Sequence, residues 1–167
     1  GGKGEIRAGE IQRMFSGDWI EHQELNLSDE PARVIQIWFI ADRHHRGLAP
    51  HYQQAGSDEL PRRTIGDAAV YTLIGEESPL EQHMTGRLTA TTIQPGGTTT
   101  IEAPGPDEDL FLYVTDGAGQ TAYDGADITL GQYDVILATP EVNATHIQAG
   151  ANAPLHFMSF YLPRFLG

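Results

Sequence analysis

The chain has 167 residues, no cysteine and a net charge of −13 at pH 7. The missing thiols exclude disulfides, thiolate chemistry and cysteine-ligated zinc. The charge disfavours direct contact with phosphate backbones, so nucleic acid is not an expected partner. A chain of this length suits one domain or slightly more and buries roughly 70% of its unfolded surface without covalent staples.

No apolar run approaches the ~20 residues of a membrane-crossing helix. The opening Gly1-Gly2-Lys3-Gly4 is not followed by the apolar stretch of a signal peptide. The expectation is a cytoplasmic protein with no membrane partner.

In chain order the sequence reads as strands. Short runs rich in Val, Ile, Thr and aromatics alternate with Gly, Pro, Asp and Asn clusters. Predicted strands cover Glu10–Met14, Ile20–Glu24, Val34–Ile40, Ala69–Ile74, Arg87–Ile93 and Thr98–Glu102. They continue with Leu110–Thr115, Gln120–Tyr123, Ala126–Leu130, Asp134–Ala138, His146–Ala149 and Leu155–Leu162. Asp124-Gly125 between two strands signals a tight hairpin, because glycine accepts positive φ freely. No helix is predicted, although Ser78–His83 could form a turn.

Two runs carry bulk on both faces. Val34–Ile40 (VIQIWFI) predicts a strand covered on both sides, with Trp38 in the core. The last strand places Leu155, Phe157 and Tyr161 on one face and Met158, Phe160 and Leu162 on the other, so it is expected to bridge two packed units.

His22 and Glu24 lie two residues apart, on one face of any extended segment. A histidine and a carboxylate on one face are two members of a shell that suits non-haem iron, nickel or copper and leaves a position open for substrate or O₂. They are equally a surface pair. The loop holding His44, His45 and His51 reads as exposed and polar, and His83 and His156 as packing or surface residues. His146 has no partner motif that would make it a ligand. No phosphate loop is present, since PGGTTT lacks the lysine and spacing of one.

The string AGEIQRM, the corner Ser16-Gly17, the motif His22-Gln23-Glu24 with Asn26, and QIWFIADRHHRGLAPHYQQ resemble the pirin family of bicupin proteins. The resemblance spans residues 4 to 53; beyond residue 66 it is one of general cupin texture. It implies an all-β fold of cupin-type barrels. Residues 1–54 would be the closing half of an N-terminal barrel, 55–65 a linker and 66–167 a C-terminal barrel.

It also implies a metal, usually iron, held by three histidines and one glutamate, with two of the ligands in an H-x-E motif that falls on His22 and Glu24. The other two would come from an upstream H-x-H motif, which this chain does not contain. The N-terminal barrel is therefore expected to be incomplete here, and its metal site incomplete or empty. Missing strands and ligands would come from a further segment or from a partner chain through dimerisation or strand exchange.

Family members look like quercetin 2,3-dioxygenases, and some are nuclear cofactors that sense iron redox state. The implied activity is oxygenation of a flavonol or similar aromatic, with Glu24 as base. The alternative is a regulatory cupin that binds a protein, with a vestigial or redox-sensing metal pocket. Trp19 stands where the family has a small residue, so it is expected to fill or reshape the substrate pocket.

Overall fold

The computed structural model describes residues 3–123 and 125–164. Among the described residues there are twelve strands: β1 (Ile11–Phe15), β2 (His51–Ala55), β3 (Arg62–Ile65), β4 (Ala68–Ile74), β5 (Arg87–Ile93), β6 (Thr98–Ile101), β7 (Glu108–Asp116), β8 (Gly119–Tyr123), β9 (Ala126–Leu130), β10 (Val135–Ala138), β11 (Thr145–Ala149) and β12 (Leu155–Pro163). The one helical element among the described residues is a single 3₁₀ turn, Arg43–His45. The fold is all-β, as the turn-punctuated pattern predicts.

The strands form three sheets. A six-stranded sheet runs β10-β7-β12-β5-β4-β3, a four-stranded sheet runs β6-β11-β8-β9, and β1 pairs with β2 as a separate ribbon. All pairings are antiparallel. The β8–β9 hairpin pairs Tyr123 with Ala126, the spacing of a two-residue turn, with Gly125 at φ 75°. Asp124, its other turn residue, lies outside the described residues.

The central strand β12 explains the arrangement. It pairs with β5 on one side and β7 on the other. Leu155, Phe157 and Tyr161 pack with Ile93, Leu112 and Val114 of their own sheet and with Ile101, Ile147 and Leu130 of the four-stranded sheet. This is the inter-sheet core. Met158 and Phe160 face the other way, joining Leu73, Leu88, Leu80, Leu60 and Ala55 in a second cluster. The two-faced apolar pattern of this strand thus matches two separate cores, one on each face of the sheet.

Tyr161 ties the inter-sheet core to its rim. Its hydroxyl donates to the Glu102 carbonyl at 2.9 Å, and the Arg87 guanidinium lies 3.5 Å over its ring. Arg87 also meets Glu102 Oε2 at 2.8 Å. Burial pushes the Tyr161 phenol up to about 12, against the opposing pull of Arg87. The folded state keeps this proton longer than the unfolded chain, whose tyrosine titrates near pH 10. Its contribution is therefore complete below pH 10 and is lost as pH rises towards 12, by about 2 kcal/mol once solvent screening at the rim is allowed for. Urea unfolding across that window is expected to show the loss, and Tyr161→Phe is expected to flatten it.

Two predicted strands do not form. Residues 20–24 have no ladder, and His22 and Glu24 are exposed. Val34–Ile40 also makes no ladder. Ile37 and Phe39 pack on the second cluster while Val34, Trp38 and Ile40 are exposed. Trp38, expected in the core, is 82% exposed. A strand needs a neighbouring backbone to complete its hydrogen bonds. Among the described residues none pairs with this run, so only one of its two apolar faces is covered.

Two strands were not expected. β2 and β3 are short and polar, and each closely follows a proline, Pro50 or Pro61. β3 is an edge strand of the six-stranded sheet, and Arg62 and Arg63 on it are the charges that keep an edge from pairing with another chain.

Candidate metal centre

The β1–β2 ribbon sorts its side chains by alternation. The register sets Arg13 opposite Gln53 and Phe15 opposite His51. Ile11, Arg13, Phe15, His51, Gln53 and Ala55 therefore share the face turned to the second cluster. Gln12, Met14, Tyr52 and Gln54 share the other. The corner after β1 is held by Gly17 at φ 55°, where an added Cβ would lie 2.7 Å from the Leu48 carbonyl oxygen. That close approach needs glycine and brings the chain entering β2 against the chain leaving β1.

On the inward face three donors converge. One ligand atom from each of His51, Glu81 and His83 lies within 4.8 Å of the others. His51 Nε2 is 3.0 Å from Glu81 Oε2, and His83 Nε2 is 3.7 Å from the same oxygen. His51 Nδ1 lies 3.2 Å from the Ala49 carbonyl, so it donates there and leaves the Nε2 lone pair facing Glu81.

The Phe15 ring backs both imidazoles, with centroids 4.5 Å from His83 and 5.3 Å from His51. His45 adds an edge-on contact to His83 at 4.5 Å. Segment 83–85 is pinned to the loop before the 3₁₀ turn: Asp42 N–H donates to the His83 carbonyl at 2.8 Å, and Thr85 Oγ1 donates to Asp42 Oδ2 at 2.8 Å.

A cation already stands in this cluster. Arg13 Nη1 is 3.1 Å from His51 Nε2 and 2.9 Å from Gln53 Oε1, and its Nη2 contacts His83 Nδ1. Gln53 Oε1 also accepts the backbone N–H of Glu81 at 3.0 Å. Burial draws the Arg13 guanidinium below its ordinary value, against the pull of Glu81, yet a guanidinium remains charged. Burial, then Arg13, His45 and His51, hold His83 below the usual imidazole range, with Glu81 opposing. His83 is 9% exposed, and its neutral form carries the lone pair that accepts from Arg13.

The positions expected from the H-x-E motif lie elsewhere. Glu24 Oε1 accepts from Gln12 Nε2 at 2.8 Å, which places Glu24 over the outward face of the ribbon. His22 and Glu24 are both exposed, and among the described residues no third His, Asp or Glu donor groups with them. Two donors fall short of the four-ligand shell that the family resemblance implies. Trp19 is 72% exposed. A cleft of about 440 Å³ beside the corner is lined by Met14, Phe15, Gly17, Asp18, Phe39 and Arg46 among others, and Trp19 is not in its wall.

Sequence reasoning set His51 and His83 apart as loop and packing residues and passed over Glu81 and Arg13. A faint signal existed. In HYQQA, His51, Gln53 and Ala55 alternate with Tyr52 and Gln54, the pattern of a half-buried strand.

No protein-family model matches the chain. Among curated proteins, mouse (Mus musculus) pirin is 36% identical over 73 residues, which is 44% of this chain and 25% of that protein. A Pseudomonas aeruginosa protein provisionally named a quercetin 2,3-dioxygenase is 38% identical over 81 residues, 48% of this chain and 33% of that one. The chain thus spans a quarter to a third of the length of these relatives. Among solved structures, a sugar phosphate isomerase of the cupin superfamily from Silicibacter pomeroyi superposes with a TM-score of 0.51 at 19% identity, covering 64% of this chain and 73% of that chain. That likeness bears on the fold alone, which is of cupin type. Motifs and relatives agree in pointing to the pirin family, at modest identity and over part of each relative's length, and the fold is of cupin type.

Proposed function

We propose that the protein carrying this chain is a metal-dependent dioxygenase of the quercetinase type, cytoplasmic, using iron and acting on a flavonol or a related aromatic. The observation that carries this reading is the 38% identity to the provisionally named quercetin 2,3-dioxygenase. His22 and Glu24 are two of its ligand positions, completed by donors from outside this chain. Glu24 doubles as the base that takes the proton from a substrate hydroxyl. Its tether to Gln12 holds the carboxylate against the ribbon and leaves its second oxygen open to solvent and substrate. Trp19, exposed beside that segment, supplies an aromatic wall for a flat substrate.

The test is oxygen consumption with quercetin by the iron-loaded protein. The parent is expected to turn over, and Glu24→Gln is expected to lose about a hundredfold or more in rate, the usual scale of general-base catalysis. A parent protein that binds iron yet consumes no oxygen contradicts the reading.

One observation favours the non-enzymatic alternative, in which the cupin is a scaffold for a regulatory protein or a second copy of the chain. Trp19, Leu25, Leu27, Val34, Trp38 and Ile40 are each at least 64% exposed. An uncovered apolar stretch of this size marks an association surface. A stoichiometric partner or a dimer in solution, without turnover, is its expected signature.

A further inference from the structure

We propose that His51, Glu81 and His83 form a binding site for a divalent first-row transition metal, separate from the H-x-E motif, in which the Arg13 guanidinium holds the cation position until a metal displaces it. This does not rest on the dioxygenase reading, because the two sites lie on opposite faces of the β1–β2 ribbon.

The donor set is the first support. Two imidazoles and one carboxylate on one side of an ion are the ligands of non-haem iron and related centres, and they leave positions open. Bonds of about 2.1 Å set neighbouring donors roughly 3.0–3.4 Å apart around a metal. The two separations from Glu81 Oε2, 3.0 and 3.7 Å, bracket that span. Closing the site takes a movement of the exposed Glu81 side chain and an adjustment of the two imidazoles, since the three ligand atoms already lie within 4.8 Å of one another.

Preorganisation is the second support. His51 is fixed in one tautomer by the Ala49 carbonyl, the outer hydrogen bond that a metal-bound histidine ordinarily makes. Phe15 packs on both rings. Gln53 binds the Glu81 backbone and Arg13 at once, so it positions both the carboxylate and the displaceable cation.

Arg13 is the third. Lone pairs of two imidazoles are both offered to one guanidinium. Uncharged nitrogen acceptors beside a carboxylate make a pocket for positive charge: a metal competes with Arg13 directly for His51 Nε2, and at His83 the departure of Arg13 from Nδ1 lets the ring proton move there and frees Nε2 for the ion. Arg13 is only half-buried, and its long stem lets the guanidinium swing out and keep its charge in water.

The probe is Co²⁺ titrated into the purified chain, followed by visible absorption, with circular dichroism on every variant. The parent is expected to bind one ion per chain. His51→Gln and Glu81→Gln, both at partly or well exposed side chains, are each expected to weaken binding by about tenfold or more. The double variant His22→Ala/Glu24→Gln is expected to bind as the parent does. Arg13→Met is expected to bind more tightly, since no cation must leave first; a purely structural arginine would instead weaken binding or leave it unchanged. Absence of Co²⁺ uptake by a folded parent overturns the proposal. So does binding that survives His51→Gln and Glu81→Gln but disappears in the His22/Glu24 double variant.

Discussion

Replacing Phe157 by alanine is expected to lower the stability of the chain by about 3–5 kcal/mol, the range for a large aromatic removed from a closed core. Phe157 is 1% exposed and sits where the six- and four-stranded sheets meet. Its neighbours Ile93, Leu112 and Val114 are rooted in paired strands and cannot collapse into the void. Urea unfolding of the parent and the variant measures the difference. A loss below 1 kcal/mol would mean that the two sheets do not enclose this ring. Phe160 tests the other face of the same strand. It packs in the second cluster, so the two substitutions share no core and their costs are expected to add to within about 0.5 kcal/mol.

Gly117→Ala is expected to cost at least about 3 kcal/mol, for two reasons that reinforce each other. Gly117 has φ 83°, in the left-handed region where a side chain costs roughly 1–2 kcal/mol. An added Cβ would also lie 2.1 Å from the Pro154 carbonyl oxygen and 3.1 Å from Leu155 Cα. Both atoms are backbone at the start of β12, so relief requires shifting the central strand. Gly96 is the control. It has φ 71° and nothing within 4 Å of its would-be Cβ, so Gly96→Ala is expected to cost only the conformational part, about 1 kcal/mol. Equal losses at the two positions would show that the contact with Pro154 is not formed.

Much of the fold was legible in the sequence because most of it is paired within the chain. From Ala68 onward every predicted strand is present to within two residues at each end. There, alternation and turn residues act together: β12 shows its two cores directly as Leu155/Phe157/Tyr161 against Met158/Phe160/Leu162. The N-terminal quarter read differently. VIQIWFI has every mark of a buried strand, yet hydrophobicity states only a preference for burial and supplies no partner. Ile37 and Phe39 found a surface, while Trp38 and Ile40 did not.

The candidate sites show the same division. The family motif was visible as a string, and the relatives support the resemblance that it carried, over part of their length. The cluster of His51, Glu81, His83 and Arg13 was not visible, because its members come from β1, β2 and the segment before β5. The ribbon register, the Glu81–Gln53 hydrogen bond and the Asp42–His83 contact bring them together. No local spacing encodes such a convergence.

The measurement that tests the central claim most directly is the metal content of the purified, chelator-free protein by plasma emission, alongside its intact mass. The proposed metal-dependent dioxygenase predicts at least one equivalent of a first-row transition metal, iron foremost, present on isolation or taken up when supplied. A folded protein of the expected mass that carries none and takes up none, with iron and cobalt both offered, would contradict the account.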